Sequence, residues 1–399
     1  MHAALDRAAP MAAPDTATDA ADAGLRADTI AIAANAAPWD AAPSAEPLGW
    51  ATRWAIGWSR ARRWEFWPAW LYYGPIVLWI IALGLRHRSA TLFTAANPAL
   101  DNGGVVGERK HQGLMPLQRN APDLVACFTL LPAEPGTARE QQALAFAARD
   151  DIGFPLVLKP DVGQRGRGVY IARDAAAVSQ YLSRHDGAVI AQRHVGGEEF
   201  GVFIAQMPGQ RLDVISIVHK TFPSVTGDGR RSLRELILAG ERTRLIAAIL
   251  LERWASQLSQ VPADGQRIKL VEIGSHCRGS LFLDATAHAT PALVDSLMRL
   301  TAAVPGYRFG RIDLRAPSLA HLQRGEGLQV LELNGVTAES AHIYHPGTPL
   351  VEGYRAMFRQ WRLAFSIGDA SHSLGAPVTS AFELLRLFIA DLRRGRQWF

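Results

Sequence analysis

Cysteine is nearly absent: Cys127 and Cys277 are the only two in 399 residues, far apart and unaccompanied. Neither a disulfide framework nor a zinc site can be built from them, and a reducing compartment fits. A dense basic block is missing too. The net charge of +5 comes from scattered arginines, so no nucleic-acid stripe is present and no nucleic-acid partner is expected. A phosphate-handling cleft explains the excess equally well. No compact apolar segment follows a basic start, which excludes a secretory signal. There is no Gly-Lys-Ser/Thr loop of the Walker type and no Gly-x-Gly-x-x-Gly dinucleotide fingerprint. Residues 1–48 are rich in Ala, with Asp and Pro, and have almost no aromatic side chains. That composition cannot bury a core and predicts a disordered tail.

The rest of the chain is globular in character, with 48% hydrophobic and 20% charged residues overall. Its length calls for two or three domains. One segment stands apart. Phe66 to Leu85 carries no charge, which is long enough to cross a bilayer as a helix. Trp64, Trp67, Trp70, Tyr72 and Tyr73 crowd one end in the manner of an aromatic belt. Arginines flank both ends (Arg60, Arg62 and Arg63; Arg86 and Arg88), so charge selects no orientation. Gly74 and Pro75 interrupt the run. A membrane span, an interfacial anchor and a helix buried in the protein all fit this region, 64–88, and a membrane contact through 66–85 stays open.

From Ser89 the pattern is that of an α/β protein. A strand is expected at Thr91–Thr94, followed by a loop with Gly103, Gly104 and Gly107. Helices are expected over Lys110–Arg119, Thr137–Asp150 and, capped by Asp174, up to Arg184. Phe154–Pro160 reads as a buried strand that ends in Lys159. Gly163, Gly166 and Gly168 then lie in an arginine-bearing loop before a strand resumes at Val169. Backbone N–H groups in such a glycine hairpin can fold over polyphosphate, and a strand-end lysine adds a point charge. Strands at Ala188–Val195, Phe200–Gln206 and Leu212–His219 are expected to form one antiparallel set. Far downstream, Gly310–Arg315 and Val330–Gly335 read as two short strands. Alternation puts Glu332 and Asn334 on one face and Leu331 and Leu333 in the core. If the two strands pair, Asp313, Glu332 and Asn334 converge as hard oxygen ligands for a magnesium ion with water and phosphate. Singly, such an Asp and Glu would be ordinary solvent-facing residues.

In this order the parts resemble the ATP-grasp superfamily of carboxylate–amine ligases, which includes D-alanine–D-alanine ligase, glutathione synthetase and cyanophycin synthetase. The resemblance covers about 90 to 350. It rests on the lysine strand and glycine loop of 154–169, on Gln192 with Gly196-Gly197-Glu198-Glu199, and on Asp313, Glu332 and Asn334. Thr226–Ile237 and Gly274–Gly279 look like segments of the cyanophycin synthetase branch. The resemblance implies an α+β ATP-grasp fold, in which two subdomains clasp ATP. It also implies that Lys159 and Lys110 bind phosphates under Gly163, Gly166 and Gly168, and that Gln192 sits by the adenine. Glu199 or Glu198 would hold the ribose. Asp313, Glu332 and Asn334 would hold Mg2+ or Mn2+, and Arg278 would touch the γ-phosphate and the acyl phosphate.

The implied domains are a tail (1–48), an apolar helix (64–88), an abbreviated leading region (89–150), the ATP-grasp domain (151–350) and C-terminal helices (351–399). The family's full N-terminal domain has no room here. The implied activity joins a small-molecule or peptide carboxylate to an amine, with formation of ADP. Phosphoryl transfer to another acceptor, or a nucleotide-binding regulatory protein with a vestigial site, are the alternatives. A homo-oligomer in the cytoplasm, anchored to the inner face of the membrane, completes the expectation. His342 and His345, after the metal strand, are candidates for substrate contact or for structure; Thr337, Glu339 and Ser340 are candidates for the acceptor pocket.

Overall fold

The computed structural model describes residues 47–133, 136–163, 166–272, 274 and 280–395. Helices α1 (Trp50–Ala61) and α2 (Ala69–Arg86) come first, then α3 (Lys110–Asn120). A first α+β unit holds β1 (Phe128–Leu131), α4 (Thr137–Ala147), β2 (Leu156–Pro160), β3 (Tyr170–Ala172), α5 (Ala175–Leu182) and β4 (Val189–Arg193). A second begins with β5 (Glu198–Ala205), β6 (Asp213–Thr221) and β7 (Ser224–Thr226). It continues through α6 (Leu233–Ala239), α7 (Glu241–Leu245), α8 (Ala247–Arg253), β8 (Arg267–Lys269), β9 (Leu281–Asp284), α9 (Pro291–Ala303), β10 (Phe309–Ala316), α10 (Leu319–Arg324) and β11 (Gln329–Asn334). Helices α11 (Leu350–Ser373) and α12 (Ala381–Gly395) end the described chain.

The organisation is the expected α+β one, with two antiparallel sheets. The first runs β1-β4-β2-β3 and the second β11-β10-β5-β6-β9, while β7 and β8 form a separate ribbon. One face of the first sheet closes on α4 and α5 through Leu131, Phe146, Leu156, Leu158, Val178 and Tyr181. Asp174 caps α5 by accepting the Ala177 N–H at 2.8 Å. The second sheet has a core on each face. Phe200, Val202, Ile204, Ile312 and Leu314 meet Leu114 and Leu117 of α3 and Leu293, Leu297 and Leu300 of α9. On the opposite face, Phe203, Ala205 and Phe309 meet Tyr72, Ile76 and Leu83 of α2 and Met357, Trp361 and Phe365 of α11. Period-two alternation along β5 thus divides its residues between two cores.

Three expectations are corrected. Leu92–Ala96 is a 3-10 helix, not a strand, and all five residues are buried. A short apolar run looks the same in a central strand and in a helix held under another; here α11 supplies the cover. Gly368 of α11 allows it, because a Cβ there would lie 2.3 Å from the Leu92 carbonyl oxygen. Second, β4 does not pair with β5 and β6. It pairs with β1 and β2, so 194–197 carries the chain from one sheet to the other. Third, the core positions of β11 are Val330 and Leu333, whereas Leu331 is half-buried. A break in register between Asp313 and Leu314 displaces the simple alternation. Gly104 packs closely on other backbone: a Cβ there would lie 2.7 Å from the Cα of Gly335.

Candidate nucleotide and metal site

The site grows from one face of the second sheet. β10 lies between β5 and β11, with Asp313 opposite Gly201 on one side and Glu332 on the other. Arg311 is opposite Asn334, and Arg315 opposite Glu199. Glu199 in turn faces Lys220 of β6. Strand alternation therefore collects Glu199, Lys220, Arg311, Asp313 and Arg315 on a single face, with Glu332 and Asn334 beside them. Gly201 keeps this face open. A Cβ there would fall 3.0 Å from Arg311 Cδ and 3.1 Å from Asp313 Oδ1.

The charges interlock. Lys220 Nζ lies 3.2 Å from Glu199 Oε1 and 3.1 Å from Asp313 Oδ1. Arg311 grips Asp313 with two donors, Nε to Oδ1 at 2.8 Å and Nη2 to Oδ2 at 3.2 Å. Arg315 donates to Glu199 Oε2 at 3.2 Å. Burial pushes the Asp313 carboxyl up, but Arg311 and Lys220 outweigh it and hold the group down at about 2. Of the two adjacent glutamates, Glu199 joins this cluster, while Glu198 lies 3.6 Å from His219 Nε2 and is half-buried.

The first sheet presents Lys159 to the same place. Its ammonium donates to Gln192 Oε1 at 2.9 Å and across the gap to the Leu331 carbonyl at 2.8 Å. Gln192 is buried and anchored by its own Nε2 to the Ala126 carbonyl, so it orients the lysine. Burial lowers the Lys159 pKa to about 8 against the opposing pull of Glu332. Lys110, at the start of α3, donates to the Gly163 carbonyl at 2.6 Å and lies 3.5 Å from Glu332 Oε1. The two lysines thus reach β11 from two different elements. β2 and β3 pair antiparallel, and the start of the segment between them is pinned to α3 by the Lys110 N–H donating to the Asp161 carbonyl at 3.0 Å. Gly166 and Gly168 both have positive φ. Gly168 also packs on Pro160, whose Cγ a Cβ would meet at 2.6 Å.

The hard-oxygen set of Asp313, Glu332 and Asn334 is of the kind that holds magnesium together with water and phosphate oxygens. Among the described residues, no three His, Cys, Asp or Glu side chains stand together as a metal-holding group. Asn334 makes its hydrogen bonds through Nδ2, to the Arg311 carbonyl at 3.3 Å and Asp313 Oδ2 at 3.4 Å. Glu108 adds a sign that a cation fits. Its Oε1 is sealed from solvent without a hydrogen-bond partner, and burial together with Glu332 pushes its pKa up to about 8. A cation between Glu108 and Glu332 would relieve both costs.

Arg311, Gly201 and Glu108 were not singled out from sequence. Arg311 had a legible signal, since it sits two residues before Asp313 on a strand and must share its face. Glu108 had none, because it reaches the site from a loop. His345 is structural here: its Nδ1 accepts the Asp284 N–H at 3.0 Å. His342 is half-buried, with its Nδ1 sealed and without a hydrogen-bond partner, and partial burial lowers its pKa. Glu339 accepts from the Tyr344 hydroxyl at 2.6 Å, and burial raises it to about 6. Thr337 donates to the Gly104 and Val105 carbonyls, and Ser340 is buried. Arg278, with His276 and Cys277, lies outside the described residues.

No family model matches the sequence. No curated protein matches it. Among solved structures, the chain is similar to a bifunctional glutathione synthetase from Pasteurella multocida, at 17% identity and a TM-score of 0.36, over 63% of this chain and 36% of that one. It is also similar to D-alanine–D-alanine ligase from Bacillus anthracis, at 13% identity and a TM-score of 0.34, over 67% of this chain and 69% of the other. The chain spans little more than a third of the length of the first.

Proposed function

We propose that this chain is an ATP-grasp ligase that uses ATP and magnesium to join a carboxylate to an amine through an acyl phosphate. What supports the reading is one arrangement: Lys159 from the first sheet points at a second-sheet face bearing Glu199, Lys220, Asp313, Glu332 and Asn334. A polyphosphate needs cations on one side and a metal-holding oxygen set on the other, and these two elements supply both. Lys159 and Lys110 neutralise phosphate oxygens. Glu199, oriented by Lys220 and Arg315, accepts from the ribose hydroxyls. Asp313, Glu332 and Asn334 hold the magnesium, which when bound withdraws charge from the phosphate oxygens.

A substrate carboxylate oxygen attacks the γ-phosphorus as the bond to the β-phosphate oxygen breaks, and ADP leaves. The amine then attacks the acyl carbon, loses a proton and expels phosphate. No protein nucleophile takes part. The carboxylate and the amine are small molecules or a peptide. Arg278 is assigned to the acyl-phosphate step on the sequence resemblance alone. A cytoplasmic homo-oligomer at the inner face of the membrane completes the proposal.

The test is release of ADP and phosphate by the full chain with magnesium-ATP and pooled carboxylates and amines, beside Asp313→Asn and Glu332→Gln. Release that needs both pools and falls by two orders of magnitude or more in either variant is the expected result. ADP formation with a hydroxyl acceptor and no amine would replace the ligase reading with phosphoryl transfer. ATP binding without turnover under any pool would leave a nucleotide-binding protein.

A further inference from the structure

Residues 50–100 hold six arginines (Arg53, Arg60, Arg62, Arg63, Arg86 and Arg88) and one acid, Glu65. Glu65 is taken up by Arg242 of α7 at 2.6 Å. In this basic surrounding, two helices expose apolar faces. On α2, Trp70, Leu71, Val77, Leu78, Ile81 and Leu85 are all more than 40% exposed, and their spacing puts them on one stripe. On α1, Trp50, Trp54 and Trp58 recur every four residues and are 78%, 66% and 52% exposed. Trp54 and Trp58 stack at 6.1 Å, and the Arg62 guanidinium lies 4.8 Å from the Trp58 ring. Large exposed aromatics interleaved with arginines suit the boundary between headgroups and acyl chains.

The helix cannot be a span while it keeps this fold. By length and composition α2 could cross a bilayer, but its other face is core. Ile76, Leu83 and Tyr72 are 1%, 3% and 4% exposed in the cluster shared with α11. Trp79 Nε1 also donates to the Phe358 carbonyl at 3.1 Å. Crossing would draw α11 in as well, with Glu352, Arg355, Arg359, Arg362 and Asp369 along it. Burying one face in protein and leaving the other apolar is the geometry of a helix that lies in the interface plane. α12 repeats the pattern: Leu384 and Leu387 join the same core, and Phe382, Leu385, Phe388, Ile389 and Leu392 are exposed.

We infer that the exposed faces of α1 and α2, with α12 as an adjunct, dock this protein flat on an anionic lipid surface without spanning it. The occupant is lipid because the apolar stripes of α1 and α2 are fringed by arginines, with Arg63 alone of the six ion-paired to an acid among the described residues, Glu241. A second copy of this chain would bring the same positive charge to the contact. The inference stands apart from the ligase reading and needs no nucleotide.

The experiment is flotation of the full chain with vesicles of phosphatidylcholine, with and without phosphatidylglycerol, over a salt series. Expected is co-flotation with the anionic vesicles that salt weakens and alkaline carbonate releases. Arg53→Ser with Arg62→Ser should lower the partition coefficient on the order of thirtyfold, since each basic residue near the surface counts for roughly fivefold. Leu78→Gln with Ile81→Gln should lower it at least as much; a melting curve shows that these exposed changes leave the fold intact, and the arginine pair decides if they do not. Retention after carbonate would mean a span and overturn the inference, as would equal binding to neutral vesicles. Absence of flotation overturns it too, and an oligomer that Leu78→Gln with Ile81→Gln dissociates in light scattering would then assign the faces to a second copy.

Discussion

Glu108 is where charge and burial conflict most openly. It is half-buried as a residue, yet its Oε1 is sealed and unpartnered, and Glu332 adds repulsion. The folded chain keeps this proton up to about pH 8, whereas a free glutamate releases it near 4.5. Between those values the folded state binds more protons than the unfolded one, so the stability contribution falls as pH rises. Glu108→Gln cannot titrate. Melting curves should show wild type and variant nearly equal at pH 5. At pH 8 the variant should be more stable, by at most a few kcal/mol. A difference that stays flat over that window would mean that Glu108 is solvated. Lys159 works in the opposite sense: burial lowers its pKa to about 8, so above that value the folded state binds fewer protons than the unfolded one and the stability contribution rises with pH. Under the proposed nucleotide reading, a phosphate beside Lys159 would lose the lysine's positive charge there.

At the scale of elements, the site depends on how closely two loops press on the end of β11. Gly335 follows Asn334, and a Cβ on it would lie 2.3 Å from the Gly103 carbonyl oxygen and 2.5 Å from the Cα of Gly104. Val336 N–H donates to the same Gly103 carbonyl at 3.1 Å. Gly335→Ala must push the 101–104 segment away, at a cost of about 1–3 kcal/mol. Gly187→Ala, with nothing within 4 Å, should stay within about 0.5 kcal/mol of wild type. Denaturant titrations of the two compare them directly. Equal stability would show that the approach is loose. This closeness explains what sequence could convey. The strands of Asp313 and Glu332 were legible because their alternation is local, and pairing then follows from the fold. Glu108 and the Gly104–Gly335 contact were not, because they join segments more than 200 residues apart through loops that carry no period. Leu92–Ala96 misled for a related reason: its burial comes from α11, at the far end of the chain.

For the whole molecule, α2 serves two environments at once, and its isoleucines separate them. Ile76 is 1% exposed and closes the core with Phe203, Phe309, Val336 and Ile343, so it supports the sheet and the loop after β11 together. Trp64 ties the preceding turn to that loop, donating to the Thr348 carbonyl at 2.7 Å and stacking on Tyr344 at 5.8 Å. The apolar segment is therefore part of the fold that shapes the site and cannot be trimmed as an appendage. Ile76→Ala should cost about 2–5 kcal/mol and lower the melting temperature measurably. Ile81→Ala, at a position 53% exposed, should change stability by less than about 0.5 kcal/mol. Vesicle flotation should order them the other way, with Ile81→Ala weakened and folded Ile76→Ala near wild type. Two variants five residues apart with opposite profiles would show one helix facing core and lipid; a matching loss of stability in both would mean that its outer stripe is covered by protein.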